Sequence, residues 1–265
     1  MTESAGTPAA FFDVDNTFIR GASSYHVGRE LFRRGFFGVR DLVVMFAVTA
    51  RYLAFGESKE QIDKARSRAL RILKGRTVAE LVAIGEEVYD AVLELRVYAG
   101  AKRLLDEHIA AGHQVWLVTA SPIEIGQSIA HRVGATGCLG TRAEHIDGIY
   151  TGRMIGDMMH GTRKAAAIKE LAERENLDLA QSYAYGDSLN DLPMLNAVGH
   201  PSPINPDRRL RIHARDVGWP IREFHGKRRR LIGKGIRSVR WAGGAWAFGL
   251  TTRLVRRQIK KRFRL

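Results

Sequence analysis

Two aspartates, Asp13 and Asp15, stand one residue apart at the end of the apolar run "AAFFDVD". Further along, Thr119 and Ser121 close the run "VWLVTAS", Lys164 follows Arg163, and Asp187, Asn190 and Asp191 cluster in "YGDSLND". Carboxylate oxygens suit a hard divalent cation, and Mg²⁺ takes one or two of them, leaving water and substrate phosphate to complete its shell. A carboxylate is also a nucleophile that can form an aspartyl phosphate. A second acid two residues on can protonate a leaving oxygen and then deprotonate water. A lysine and a hydroxyl can hold phosphoryl oxygens where charge collects. Each residue alone has an ordinary reading: a turn acid, a solvated helix lysine, a strand-end hydroxyl. Their joint occurrence in one order argues for chemistry.

Such residues need elements to bring them together. "AAFFDVD" reads as a short buried strand and "VWLVTAS" as another. "CLGTRAEHIDGIYTGRM" reads as strand, turn, strand, with Asp147-Gly148 as the hairpin signal. "QSYAYGDSLND" holds a strand that ends at Gly186-Asp187. Between them lie helices, "AGAKRLLDEHIAAGHQ" ended by Gly112, and "GTRKAAAIKELAEREN" with Thr162 expected as its cap. Strands alternating with helices predict a parallel α/β sheet, whose active site lies beyond the carboxyl ends of the strands. Three strand ends carry the polar clusters named above. Residues 23–95 show helical spacing throughout, with Ser58 and Thr77 as N-caps ahead of Gln61 and Glu80. That block is too long for a loop and predicts a separate helical cap. "GHPSPINPDRRLRIHARDVGWPI" holds four of the seven prolines and reads as loop with short strands.

Composition narrows the class. The 265 residues suit a core domain with a lid and a tail. The single cysteine, Cys138, allows no intrachain disulfide and fits a reducing compartment. "MTESAGTPAA" lacks a basic start and an apolar core, so no signal peptide is expected. No uncharged run approaches the ~20 residues that span a bilayer. The formal charge is +14, and residues 226–265 hold 14 Lys/Arg and no acid. The rest of the chain is neutral, with 28 bases against 28 acids.

"DVDNT", "LVTAS", Arg163-Lys164 and "YGDSLND" resemble the four motifs of the haloacid dehalogenase superfamily of phosphohydrolases, and most closely subfamily IB, which includes phosphoserine phosphatase. The likeness covers roughly residues 9–215. It implies a Rossmann-like parallel sheet core at 1–22 and 96–225, an inserted all-helical type 1 cap at 23–95, and a basic tail at 226–265. It further implies a Mg²⁺-dependent phosphatase acting through an aspartyl phosphate. By the same resemblance Asp13 is the nucleophile and Asp15 the general acid/base. Thr119, the Ala120 N–H, Lys164 and Asn190 would bind phosphate. Asp13, the Asp15 carbonyl and Asp187 would hold the metal, with Asp191 in support.

The substrate is left open. Phosphoserine phosphatases of this subfamily place a glutamate nine residues after the nucleophile, where this chain has Ala22. Losing an acid that pairs with a substrate ammonium argues against an amino-bearing substrate. "RGASSYH" is more like a branch of broad specificity, some members of which act on lipid-pathway phosphates. Arg20, Ser23, Ser24 and His26 are the candidate specificity residues. A small or lipid-linked phosphorylated metabolite is therefore expected, with phosphoserine, a phosphotransferase, or a regulatory scaffold with little turnover as alternatives. "LVVMFAVTA" at 42–50 reads first as a cap core helix and second as an apolar wall for a lipid chain. The tail "RLVRRQIKKRFRL" places Val255, Ile259 and Phe263 on one helical stripe among bases, which suits an anionic membrane surface. That reading is favoured over a solvated tail and over nucleic acid, for which no binding fold is legible. The expected location is cytoplasmic, peripheral on the inner membrane face.

Overall fold

The computed structural model describes residues 6–36, 38 and 72–224. The predicted segment 42–50, the Ser58 cap and the tail 226–265 lie outside these residues. The chain runs β1 (Ala9–Asp13), α1 (Ser23–Arg33), α2 (Val78–Val88), α3 (Ala99–Ala110), β2 (Gln114–Pro122), α4 (Ile123–Val133), β3 (Gly137–Ile146), β4 (Ile149–Ile155), α5 (Thr162–Glu175), β5 (Tyr183–Tyr185), α6 (Leu192–Leu195), β6 (His200–Pro201) and α7 (Arg208–Asp216). The π turn Tyr89–Leu93 and the 3₁₀ turn Glu94–Arg96 follow α2.

The six strands lie in the order β4-β3-β2-β1-β5-β6, parallel except for β4 against β3. This is the expected α/β sheet. All five residues of β1 are buried, as a central parallel strand covered on both faces requires. Alternation divides its side chains. Ala10 and Phe12 join one apolar cluster with Leu105, Ile125 and Ile129, whereas Ala9 and Phe11 join another with Ile168, Leu171 and Leu210. Helices α3 and α4 thus cover one face, and α5 and α7 the other. From β1 the chain builds outward through β2 and β3, then returns to β5 on the other side of β1. The switch point of the sheet falls at the carboxyl end of β1, where ligands bind in such folds.

Local signals explain most boundaries. Thr77 accepts from the Glu80 N–H while Glu80 reaches back to the Thr77 N–H, which is the expected capping box. Asp147 (φ 50°) and Gly148 (φ 76°) make the predicted two-residue hairpin turn. Val27, Leu81 and Ile84 share the cluster of Phe12 and Ile125, so α1 and α2 pack into the same core as the sheet's own helices. Two expectations need correction. Thr162 is the first residue of α5 and makes no cap; Gly161 precedes it at φ 55°, ψ −125°, a conformation that needs glycine. The proline-rich segment is not mostly loop. It contains α7, capped by Asp207, whose side chain accepts from the Leu210 N–H, and anchored by buried Leu210 and Ala214.

Candidate active site

Strand register builds the site. Asp13 is the last residue of β1 and lies beside Val118 of β2, so Thr119 begins just beyond it. On the other side Phe12 lies beside Tyr185, so Gly186 and Asp187 leave β5 at the same rim. Lys164, in the first turn of α5, brings its ammonium to this edge. Its Nζ lies 2.5 Å from Asp13 Oδ1 and 2.6 Å from Asp191 Oδ1, and all three side chains are almost wholly shut off from water.

Charge at the rim is unbalanced. Oxygens of Asp13, Asp187 and Asp191 lie within 4.8 Å of one another, with Lys164 paired to two of them, Asp13 and Asp191. Burial raises the Asp13 carboxyl; Lys164 pulls it down, while Asp191 and Asp187 push it up again, and the net is well above the ordinary value. Burial disfavours the Lys164 charge, but Asp13 and Asp191 outweigh burial and hold the ammonium protonated. Burial first, and then the Asp191 charge, push Asp187 up to about 7 despite Lys164.

The donors divide by what remains free. Asp191 is saturated: Oδ1 takes Lys164, and Oδ2 takes the N–H groups of Asp187 and Ser188 and the Ser188 hydroxyl. The Asp187 carboxylate and Asp13 Oδ2 accept no hydrogen bond from the described residues. Two free, hard oxygen donors beside an excess of buried negative charge fit a small divalent cation.

Asp15 sits apart from the acidic cluster. Beyond β1 the chain reverses, with Asn16 at φ 63° and the Ile19 N–H donating to the Val14 carbonyl. The reversal returns the first residue of α1 to Asp15: Asp15 Oδ1 accepts the Ser23 N–H at 2.8 Å and the Ser23 hydroxyl at 2.6 Å. Burial raises the Asp15 carboxyl, and these two bonds partly offset it.

The remaining sequence-named residues are placed as follows. Thr119 is buried, and its Oγ1 accepts the Ser121 N–H at 3.1 Å. Ala120 is exposed, its carbonyl tied to Thr141 Oγ1. Asn190 is exposed in the 3₁₀ turn Leu189–Asp191. Arg20 and Ser24 face solvent; the Arg20 carbonyl accepts from Arg96. His26 is half-buried, with Nδ1 enclosed and without a hydrogen-bond partner among the described residues. Ser23, read from sequence as a specificity residue, is fully buried on Asp15. Sequence reasoning did not single out Glu124 or Tyr150. Glu124 Oε2, Tyr150 Oη and Ser121 Oγ are enclosed with no hydrogen-bond partner among the described residues. Glu124 offered no signal, since an acid in the first turn of a helix is ordinary.

Among the described residues no helix is long and apolar enough to cross a membrane. The family model for haloacid dehalogenase-like hydrolases matches residues 10–196. The chain is 47% identical over 244 residues to phosphoserine phosphatase SerB1 of Mycobacterium tuberculosis strain H37Rv, covering 91% of this chain and 79% of that protein. A solved structure of a protein of unknown function from Bordetella pertussis Tohama I aligns at 30% identity and TM-score 0.71, over 83% of this chain and all of the other. A phosphoserine phosphatase solved as a phospho-aspartyl intermediate analogue shares the fold, with TM-score 0.56 at 18% identity, over 86% of this chain and 99% of the other.

Proposed function

The chain belongs to the haloacid dehalogenase-like hydrolase family and is a phosphatase, and on that premise we propose that it is a Mg²⁺-dependent phosphomonoesterase working through an aspartyl phosphate on a small phosphorylated metabolite. The observation that carries this reading is the buried bridge from Lys164 to both Asp13 and Asp191, with the bare carboxylate of Asp187 beside it.

The roles follow from what each group has free. Asp13 Oδ2 attacks phosphorus. As the bond to the leaving oxygen breaks, its electron pair goes to that oxygen, which takes a proton from Asp15. Water then attacks the aspartyl phosphate and gives a proton to Asp15, and the phosphorus–Oδ bond breaks to regenerate Asp13. Lys164 holds positive charge against Asp13 throughout. Thr119 and the Ala120 N–H hold phosphoryl oxygens, and Asn190 supports them from the loop after β5. Asp13, Asp187 and the Asp15 carbonyl would hold Mg²⁺, whose charge, when it is bound, lets a phosphate dianion approach four acids. Residues 23–95 are read as a helical cap, 1–22 and 96–225 as the core, and 226–265 as a basic tail suited to an anionic surface.

Phosphoserine is the second reading for the substrate, favoured by the name of the M. tuberculosis relative. Ala22, where an acid would meet the substrate ammonium, speaks against it. Turnover of a panel of phosphomonoesters, with and without an ammonium group, by wild type and Asp13→Asn tests both. Loss of all turnover in the variant supports the mechanism, and wild-type turnover by the variant overturns it. A preference for phosphoserine over amine-free esters would replace the first substrate reading with the second.

A further inference from the structure

The geometry points to Ser23 as a positioning residue that fixes which oxygen of Asp15 carries the catalytic proton, and so ties the first helix of the inserted block to the acid step. This inference rests on the phosphatase reading above and assigns a residue within it.

Asp15 Oδ1 accepts two bonds from one residue, the Ser23 N–H at 2.8 Å and the Ser23 hydroxyl at 2.6 Å. An oxygen with both lone pairs engaged is the carbonyl-type oxygen of a carboxylic acid. The proton of neutral Asp15 therefore sits on Oδ2, which takes no hydrogen bond from the described residues. Rotating the carboxyl to exchange its oxygens would break two bonds to a fully buried serine. The N–H belongs to the first residue of α1, one of the amides that a helix leaves without a partner inside itself. Ala22, the N-cap, has no side chain to serve them. Asp15 thus completes the helix start, and Ser23 aims the acid: when the phosphorus–oxygen bond breaks, the electron pair moves to the leaving oxygen and the Oδ2 proton follows.

A group that aims an acid matters most when the leaving oxygen is a poor leaving group. The test is kcat/KM for Ser23→Ala against a series of phosphomonoesters, from 2,4-dinitrophenyl phosphate to alkyl phosphates, with Mg²⁺ in excess. The expected result is a loss of ~10- to 100-fold on alkyl phosphates, part of what a whole general acid contributes, and of less than about 3-fold on the dinitrophenyl ester. The slope of log kcat/KM against leaving-group pKa then steepens. Ser23→Thr, which keeps the hydroxyl, restores the wild-type slope. A uniform loss across the series, or an unchanged slope, overturns the inference. Circular dichroism and the Tm of Ser23→Ala confirm that folded protein is compared. If wild type hydrolyses the series and Asp13→Asn does not, while Ser23→Ala keeps the wild-type slope, the inference alone fails. If wild type hydrolyses none, the phosphatase reading fails.

Discussion

Lys164 Nζ lies 2.5 Å from Asp13 Oδ1, a contact between α5 and the end of β1 with both side chains almost wholly buried. Taking such a pair out of water costs several kcal/mol per ion, so it persists only where other bonds complete it. Asp191 completes it from the far side at 2.6 Å. Replacing Lys164 by Met should lower kcat by ~10²–10³-fold, the scale of one lost electrostatic contact to the transition state. With the cation gone, the clustered acids repel more strongly as they ionise, so Tm of the variant should fall more steeply than wild type between pH 5 and 8. A kcat within a few-fold of wild type would remove Lys164 from the mechanism.

Asp187 carries the sharpest metal prediction. Its carboxyl, pushed up to about 7 by burial and then by Asp191, takes up a proton on folding without metal. The folded state then binds more protons than the unfolded chain between about pH 4 and 7, so this group costs stability as pH rises through that window. The shift is worth at most about 4 kcal/mol. Asp187→Asn should therefore raise Tm of metal-free protein at pH 7.5. Mg²⁺ at about 100 times its Kd should stabilise wild type by ~2.7 kcal/mol and the variant far less. Equal Mg²⁺-induced shifts in the two proteins would take Asp187 out of the metal site.

How much of this was legible beforehand depends on the kind of signal. Asp13, Asp15, Lys164 and Asp187 stand at strand ends or on a helix start, and apolar runs such as "AAFFD" locate those ends directly. Helix α7 was hidden by its surroundings, because Pro201, Pro203, Pro206 and Pro220 crowd a segment whose Asp207 cap and Leu210/Ala214 stripe are short signals. The Ser23–Asp15 bond was not legible either. It depends on a chain reversal with Asn16 at φ 63°, a tertiary detail that residue type does not encode. Likewise Asp191 could be placed near the site by spacing, but its saturation by Lys164 and Ser188 is visible only in three dimensions.

Gly186 links backbone space to this chemistry. A methyl group there would stand 2.6 Å from Asp191 Cβ and 2.9 Å from its Oδ2. Gly186→Ala should displace Asp191, loosen Lys164, and cut kcat at least ~10-fold, with the far-ultraviolet spectrum unchanged. Gly28, in α1, has no atom of the described residues outside its own helix backbone within 4 Å of such a methyl. Gly28→Ala should keep wild-type kcat and add ~0.5–1 kcal/mol of stability, the usual gain in a helix interior. If Gly186→Ala turns over like wild type, Asp191 is not held where Lys164 needs it.

A second titrating group lies beneath the sheet, away from the rim. His108 of α3 meets His113 Nδ1 through its own Nδ1 at 2.9 Å and Tyr185 Oη through Nε2 at 2.8 Å. Tyr185 stacks on Phe12 with ring centroids 4.5 Å apart. Two imidazole nitrogens in contact cannot both carry protons. Burial, then His113 and Arg222, lower His108 to about 4. The unfolded chain therefore binds more protons than the folded one between about pH 6.5 and 4, and stability from this site is present above 6.5 and lost as pH falls toward 4. Asp187 acts in the opposite direction over part of that range, so the comparison must be between variants. His108→Gln keeps a polar group for Tyr185 but has no charge to gain. Between pH 7 and 4.5 wild type should lose several degrees more Tm than His108→Gln, measured by thermal melts in the same buffers without metal. Equal losses would show that His108 does not govern the acid limb of stability.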